Sequence, residues 1–184
     1  MGWWIVLVVV VAAALWAVAI YNGLVRQKNL VAEAWGGIDA QLKRRADLIP
    51  NLVATVKGYA AHERETFDAL ARLRATVGTP ATVADRAQTE TAITIGIERL
   101  LAVAEGYPEL KASENFQSLQ TALADTEDQI QLARRYYNGT VRDYNVRIEQ
   151  FPSNLIAGLG AFTPAPFFQI EKDSDRQVPG ANFP

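Results

Sequence analysis

Residues 31–56 read VAEAWGGIDAQLKRRADLIPNLVATV, and this stretch decides the fold class of the chain. Its apolar residues recur at alternating intervals of four and three, which is typical of the inner face of a long helix in a bundle or coiled coil. The spacing continues to residue 77 and predicts one long helix with a buried stripe, here called the seam. The seam comprises Val31, Trp35, Ile38, Leu42, Ile49, Leu52, Val56, Tyr59, Leu70, Leu73 and Val77, with Arg45, Glu63 and Thr66 as polar exceptions.

Three residues of this predicted helix are expected to set how it packs. Arg45 and Glu63 fall on the seam, where a charge is costly unless it is paired. We expect both to pair with polar groups on facing helices and so fix the register of the bundle; the alternative is a polar functional site inside it. Pro50 removes a backbone hydrogen bond and disfavours helix at Ile49, which predicts a kink near residues 46–50.

Two further helices follow in the sequence. Gly78, Thr79 and Pro80 are predicted to end the first helix and start a second, which runs to about Glu105. A third, heptad-spaced helix is predicted from Ser113 to Phe151. Helices with short connections predict an all-α fold built as an antiparallel bundle, and we assign residues 23–155 to it.

The N-terminal segment predicts a membrane anchor. Residues 2–25 carry no charged side chain, and roughly 20 apolar residues are enough for a helix to cross the hydrocarbon of a bilayer. We assign residues 1–22 to a single transmembrane helix. The expected interfacial anchors are Trp3, Trp4, Trp16, Ile20 and Tyr21. The alternative is a cleaved secretory signal ending at Ala17-Val18-Ala19, but no Lys or Arg precedes the apolar run.

The charges that flank the segment predict its orientation. Arg26 and Lys28 follow the apolar run closely, and positive residues tend to stay on the cytoplasmic side. The N-terminus is therefore expected outside and the main domain in the cytoplasm. Because the seam spacing extends back through Leu24, we expect the membrane helix to continue into the first bundle helix without a linker.

We assign residues 156–184 to a C-terminal tail. Residues 154–161 are expected to form a short apolar turn, and residues 162–184, which are rich in Pro and Phe, are not expected to be helical. The apolar rings of the tail require burial that the tail itself does not supply. We expect them either to pack on their own bundle or to dock on another subunit or partner. The candidate subunit or partner interface is Phe151, Phe162, Phe167 and Phe168.

Composition argues against several classes of function. The 18 basic and 20 acidic residues give a net charge of −2, which does not favour a nucleic-acid partner. The chain has no Cys and a single His, His62, which excludes thiolate sites and multi-histidine metal sites and leaves only His62 for a Ser-His-Asp triad. His62-Glu63 begins like the helical zinc motif, but Thr66 stands where the second His would be. We therefore predict no catalytic residues, no cofactor and no metal.

Several motifs resemble those of one family. Residues 38–60, followed by His62-Glu63, closely resemble the signature of the LemA family of bacterial membrane proteins. The stretches Glu105–Ala112, Asn115–Gln120, Tyr136–Asn138, Tyr144-Asn145 and Phe151–Asn154 resemble the same family, in the same order. The resemblance implies a helical cytoplasmic domain anchored in the inner membrane. It also implies relatives in magnetosome membranes and gene neighbours that often encode membrane proteases, and it supplies no catalytic residues.

These observations lead to ranked hypotheses about function. The first is a non-enzymatic scaffold or adaptor that self-assembles on the lipid bilayer as a homo-oligomer, large assemblies included, and organises other membrane components. The second is a regulatory or accessory subunit of a membrane protease or transporter in membrane protein quality control. A hydrolase that uses carboxylates is disfavoured, because no nucleophile with a neighbouring base is evident.

Overall fold

The computed structural model describes residues 2–60, 63–77 and 82–169, and these residues form helices, turns and irregular segments without a strand. The all-α prediction is confirmed. The helices are α1 (Gly2–Lys57), α2 (Arg64–Thr76), α3 (Val83–Glu105), α4 (Pro108–Lys111), α5 (Glu114–Glu149) and α6 (Ser153–Leu159).

Helix α1 joins the apolar N-terminal segment to the first bundle helix without a break, as the seam spacing predicts. It has 56 residues and includes Pro50, which lies on an exposed face and does not end the helix. A proline has no backbone N–H and so lacks one helical hydrogen bond, but the hydrogen bonds of the turns before and after Pro50 keep the helix continuous. The helix ends at Lys57 instead, where Gly58 and Tyr59 form a turn.

The prediction of one helix through to residue 77 is wrong, because α1 and α2 are separate. Glycine is among the poorest helix formers, and Gly58 stands at the point where the helix stops. Glu63 is consequently exposed at the start of α2, so it lacks the burial on which its predicted register role depended.

The start of α3 is fixed by side-chain capping. The Asp85 backbone N–H donates to Thr82 Oγ1 at 3.1 Å, and the Thr82 backbone N–H donates to Asp85 Oδ2 at 3.3 Å. This reciprocal pair is a capping box, which satisfies backbone donors that the first helical turn leaves free. The predicted start at Gly78–Pro80 lies outside the described residues, whereas the predicted end at Glu105 is confirmed.

The chain divides into two compact units. The first unit contains the described residues within 1–38 and 133–167, and the second contains those within 39–132 and 168–184. Burial of apolar surface is the main force that stabilises such units. The core of the second unit comprises Ala46, Ile49, Leu52, Val56, Ala60, Phe67, Leu70, Val77, Ile93, Ile97, Leu100, Ala104, Leu110, Phe116 and Leu123.

The first unit buries one stripe of α1 and one of α5. The ring of Trp35 lies 5.4 Å from that of Tyr137, measured between centroids. Close to the other end of this stripe, the Arg147 guanidinium lies where a Cβ on Gly23 would be. The two contacts are consistent with an antiparallel course of these helices within the unit. The buried apolar residues are Leu24, Val31, Ala34, Ile38, Tyr137, Val141, Tyr144, Ile148 and Ala157.

Replacing Gly96 on α3 by Ala is expected to destabilise the second unit. A Cβ at this position would lie 2.9 Å from Cδ1 of Leu70, which is fully buried and must therefore shift. Overpacking of this kind costs about 1–3 kcal/mol, more than the helix-propensity gain of about 1 kcal/mol.

The matched control is Gly36→Ala on α1, since a Cβ there meets nothing within 4 Å. Urea unfolding followed by circular dichroism should show a lower free energy of unfolding for Gly96→Ala and an unchanged or higher one for Gly36→Ala. Equal changes in the two variants would contradict the packing of Leu70 on Gly96.

Candidate functional site

A buried charge network lies inside the second unit, with Arg45 of α1 at its centre. Arg45 is 2% exposed, and its Nη2 donates to Oε2 of Glu90, which is fully buried, at 2.6 Å. Its Nη1 donates to Oγ1 of Thr94 at 3.0 Å and to Oε2 of Glu127 at 2.8 Å. One guanidinium therefore connects α1 with α3 and α5, as the planar, multiply donating head of arginine allows.

A second buried arginine extends the network along α3. Arg86 donates to Oδ1 of Asp39 on α1 at 2.5 Å and to the backbone carbonyl of Val77 at the end of α2. Asp39 also pairs with Lys43 one helical turn later, at 2.8 Å. Arg86 thus satisfies a carbonyl that the end of α2 would otherwise leave without a partner, and connects it to α1.

The seam prediction found Arg45 but missed Glu90, Thr94 and Arg86. Glu90 and Thr94 follow Ala87 at intervals of three and four, so they lie on the α3 equivalent of the seam. A search for polar residues at seam positions on every helix would have found both. Arg86 precedes Glu90 by four residues and Ile93 by seven, so it lies on the same face of α3, and the same search would have found it as well.

The pKa values of two network carboxylates, Glu90 and Asp39, are shifted in opposite directions. Burial raises the pKa of Glu90 and outweighs the attraction of Arg45. Within the described residues Glu90 Oε1 has no hydrogen-bond partner, and its ion-pair contact with Arg86 Nε is long, at 3.9 Å. Burial also acts to raise the pKa of Asp39, but hydrogen bonds from Lys43 and Arg86 prevail and hold it below its usual value.

The network is suited to joining helices. Each arginine is engaged by a carboxylate, and Arg45 also bonds a hydroxyl, so neither presents a free cation to a substrate. Across residues 2–60, 63–77 and 82–169, no group of three or more His, Asp or Glu residues is placed to hold a metal ion. His62, which begins the incomplete zinc motif, lies outside the described residues.

The predicted membrane anchors lie on the N-terminal part of α1. By length and composition α1 is apolar enough to cross a membrane, and its apolar stretch is not buried by the rest of the chain. Trp3, Trp4, Trp16 and Tyr21 are between 45% and 63% exposed. Trp16 and Ile20 also line an open cavity of about 380 Å³ in the first unit. The other lining residues are Gln27, Asp143, Val146, Arg147, Gln150, Phe151, Pro152 and Ser153.

The predicted interface phenylalanines fall into two groups. Phe168 is fully buried within its own chain, and Phe162 packs edge-on against Tyr21 with ring centroids 5.5 Å apart. Neither ring is therefore freely available to a partner. Phe151 is 74% exposed and Phe167 is 45% exposed, so both keep an accessible ring.

Side chains of α5 form hydrogen bonds with the backbone of the tail and hold it in place. Asn145 donates to the carbonyl of Ala165 at 2.9 Å and accepts from the Ala165 N–H at 2.8 Å. Tyr144 donates to the carbonyl of Thr163, and Tyr137 to that of Pro166. This extended segment has no helical hydrogen bonds of its own, so these side chains supply partners that its backbone needs.

Comparison with known proteins gives one family. The sequence model of the LemA family matches residues 34–183. Magnetosome protein MamQ 2 of Paramagnetospirillum magneticum is 32% identical over 80 residues, which are 44% of this chain and 29% of that protein. Protein LemA of Metamycoplasma hominis is 29% identical over 138 residues, 74% of this chain and 63% of that protein. The chain thus spans under a third of the MamQ relative and under two thirds of the LemA relative.

Replacing Arg45 by Ala is expected to lower the free energy of unfolding by about 3–5 kcal/mol, the usual result of removing one partner from a buried ion pair. Glu90 would be left buried without its closest cation. The neighbouring Arg44 is exposed, and Arg44→Ala should change stability by no more than about 0.5 kcal/mol. Chemical denaturation of the three proteins compares the effects, and similar stability of both variants would refute the role of Arg45.

Replacing Glu90 by Gln is expected to change how stability depends on pH. The raised pKa means that folding favours the protonated carboxyl, so its contribution is fullest below the ordinary value of 4.5 and is lost as pH rises through the folded-state value. Gln does not titrate. The stability of Glu90→Gln relative to wild type should therefore increase as pH rises from 4.5.

Asp39 acts in the opposite sense and in another pH window. Its lowered pKa contributes stability above its ordinary value of 3.8, which is lost only as pH falls through the folded-state value. Free energies of unfolding measured from pH 4.5 upward therefore report on the titration of Glu90 and not on that of Asp39. A constant difference between wild type and Glu90→Gln over that range would show that burial does not dominate at Glu90.

Proposed function

The chain belongs to the LemA family, and we propose that it is a membrane-anchored, non-enzymatic scaffold that self-assembles and organises membrane-associated components. The observation that carries this proposal is an exposed apolar surface on the first unit, separate from the apolar N-terminal stretch. It consists of Tyr136 on α5, 55% exposed, and Phe167 in the tail, 45% exposed. Exposed apolar patches of this kind are typical of protein contact sites.

Tyr136 and Phe167 are each adjacent in sequence to one partner of a single hydrogen bond. Phe167 directly follows Pro166, whose carbonyl accepts a hydrogen bond from Tyr137, the neighbour of Tyr136. Gly139 lies three residues beyond Tyr136, on the same side of α5, and a Cβ there would meet nothing within 4 Å. A helix from a second copy can approach α5 closely at this point, beside the Tyr136 ring.

Anchorage makes weak contacts of this surface effective. We propose that α1 spans the inner membrane near residues 1–22, with Arg26 and Lys28 on the cytoplasmic side. Confinement to a bilayer raises the effective concentration of each copy, so a small surface is sufficient for assembly. The buried Arg45 network supports the same function, since it connects helices of the second unit and leaves its arginines unavailable for chemistry.

The double variant Tyr136→Glu/Phe167→Glu tests self-assembly. Two carboxylates in an apolar contact between copies repel each other and lose hydration, so the variant should shift from oligomer to monomer. Mass photometry of the full-length protein in mild detergent measures the shift. The control is Ile95→Glu, which changes an apolar side chain on α3 of similar exposure, 44%, and should leave the oligomer intact.

The same preparation separates the scaffold from the accessory subunit. Mild purification from native membranes should recover mainly the protein itself if it is a scaffold. Recovery of one protease or transporter in fixed ratio, together with a monomeric wild-type chain, would favour the accessory subunit and refute self-assembly.

A further inference from the structure

Some of the most exposed apolar side chains in the described chain lie where α5 passes into α6. We call residues 150–160 the α5–α6 corner. Phe151, Leu155 and Leu159 are 74%, 59% and 86% exposed, and Leu159 exceeds Trp3 in the apolar N-terminal stretch, at 63%. Folding of this chain does not cover these three side chains, so their burial requires another phase or another molecule.

The sequence around the corner lacks charge altogether. From Gln150 to Ile170 there is no Asp, Glu, Lys or Arg, although such residues make up 21% of the chain. A solvated corner would be expected to include some. Outside the N-terminal stretch, this long uncharged run with protruding Leu and Phe can enter the interface of a bilayer without placing a charge in lipid.

The corner lies beside the end of the proposed membrane span. A Cβ on Gly160 would be 3.2 Å from the Tyr21 ring, and Phe162 packs against the same ring. Trp16 and Ile20 line one cavity with Phe151 and its neighbours. The corner therefore lies at the level of residues 16–21 of α1, where aromatic residues are expected to meet the lipid headgroups.

Basic side chains flank this level on the side of α1 away from the N-terminus. Lys28 Nζ lies 6.0 Å from the centre of the Phe162 ring. Arg147 lies across Gly23, where a Cβ would be 2.7 Å from its Nη2, so the glycine leaves room for the guanidinium beside α1. Asp143 also lines the cavity, and Arg142 pairs with it at 3.0 Å. Lys28 and Arg147 are thus placed at the depth of lipid phosphates.

We infer that the α5–α6 corner is a second membrane contact, in which Phe151, Leu155 and Leu159 enter the interfacial layer of a phospholipid bilayer. This inference rests on the proposed anchorage of α1. Continuity favours lipid as the occupant, because the corner adjoins the segment that the bilayer already surrounds. In the bilayer, lipid would fill the cavity between Trp16, Ile20 and Phe151.

Single-cysteine labelling tests the inference directly, since the chain has no native Cys. Leu155→Cys and Leu159→Cys carry the environment-sensitive fluorophore NBD at the corner. Val18→Cys reports on the anchor. Gly36→Cys is the matched control: it is exposed on α1, a Cβ there would meet nothing within 4 Å, and it lies 15 residues, or about 22 Å of helix, beyond Tyr21. The full-length variants are reconstituted in phosphatidylcholine–phosphatidylglycerol vesicles that contain shallow or deep spin-labelled lipids.

The expected result is quenching at residues 155 and 159 by the shallow spin label, at least about twofold stronger than at residue 36, with blue-shifted emission. Quenching at residue 18 but not at 155 and 159 would overturn the corner contact and leave the anchor standing. Blue-shifted but unquenched corner labels would show burial against protein and would also overturn it. Quenching at 155 and 159 without quenching at 18 would refute the anchor alone, and no quenching at any of the three would refute both.

Discussion

The guanidinium of Arg45 imposes the strictest condition on the second unit. A charge that is 2% exposed cannot be compensated by water, so carboxylates and hydroxyls must be brought to it from other helices. Glu90 and Thr94 on α3 and Glu127 on α5 meet this condition. Apolar contacts alone tolerate small displacements between helices, whereas a guanidinium that bonds three side chains allows little. The surrounding core of the unit therefore has to be compatible with one placement of Arg45.

This condition also explains what the sequence could and could not predict. Arg45 is the one polar seam residue that lies within α1, and its burial follows from the apolar seam residues on both sides of it. The partners are distant in sequence and required the fold itself, although Glu90 and Thr94 lie at equivalent spacing on α3. The helix break after Lys57 was missed because apolar residues on both sides keep the same period by chance. Pro50 gave the stronger local signal for an interruption, but the long helix around it tolerates one lost hydrogen bond.

The tail shows a similar limit in the first unit. Sequence established that its phenylalanines need burial but not where they find it. Tyr137, Tyr144 and Asn145 decide this by bonding tail carbonyls and one N–H, and as side chains on a helix they give no indication of such distant partners. A polar residue such as Asn145 among the apolar residues of a heptad-spaced helix indicates that it bonds the backbone of another segment. With these bonds in place Phe167 remains 45% exposed, so folding of the chain does not bury every phenylalanine ring of the tail.

The remaining exposed apolar side chains of the first unit differ in what surrounds them, and this difference separates the roles that we propose for them. Tyr136 lies on a helix rich in charged residues, with Arg134 and Arg135 directly before it, as is usual for a surface that meets protein in water. The α5–α6 corner lies in a run without charge and adjoins Tyr21 at the end of the apolar stretch. A protein partner in water would favour a polar rim around such a patch, whereas a bilayer requires none. Attachment at both α1 and the corner would restrict rotation of the first unit about the axis of α1. Tyr136 would then face neighbouring copies in the plane of the membrane in one orientation, which is the geometry that ordered lateral assembly requires.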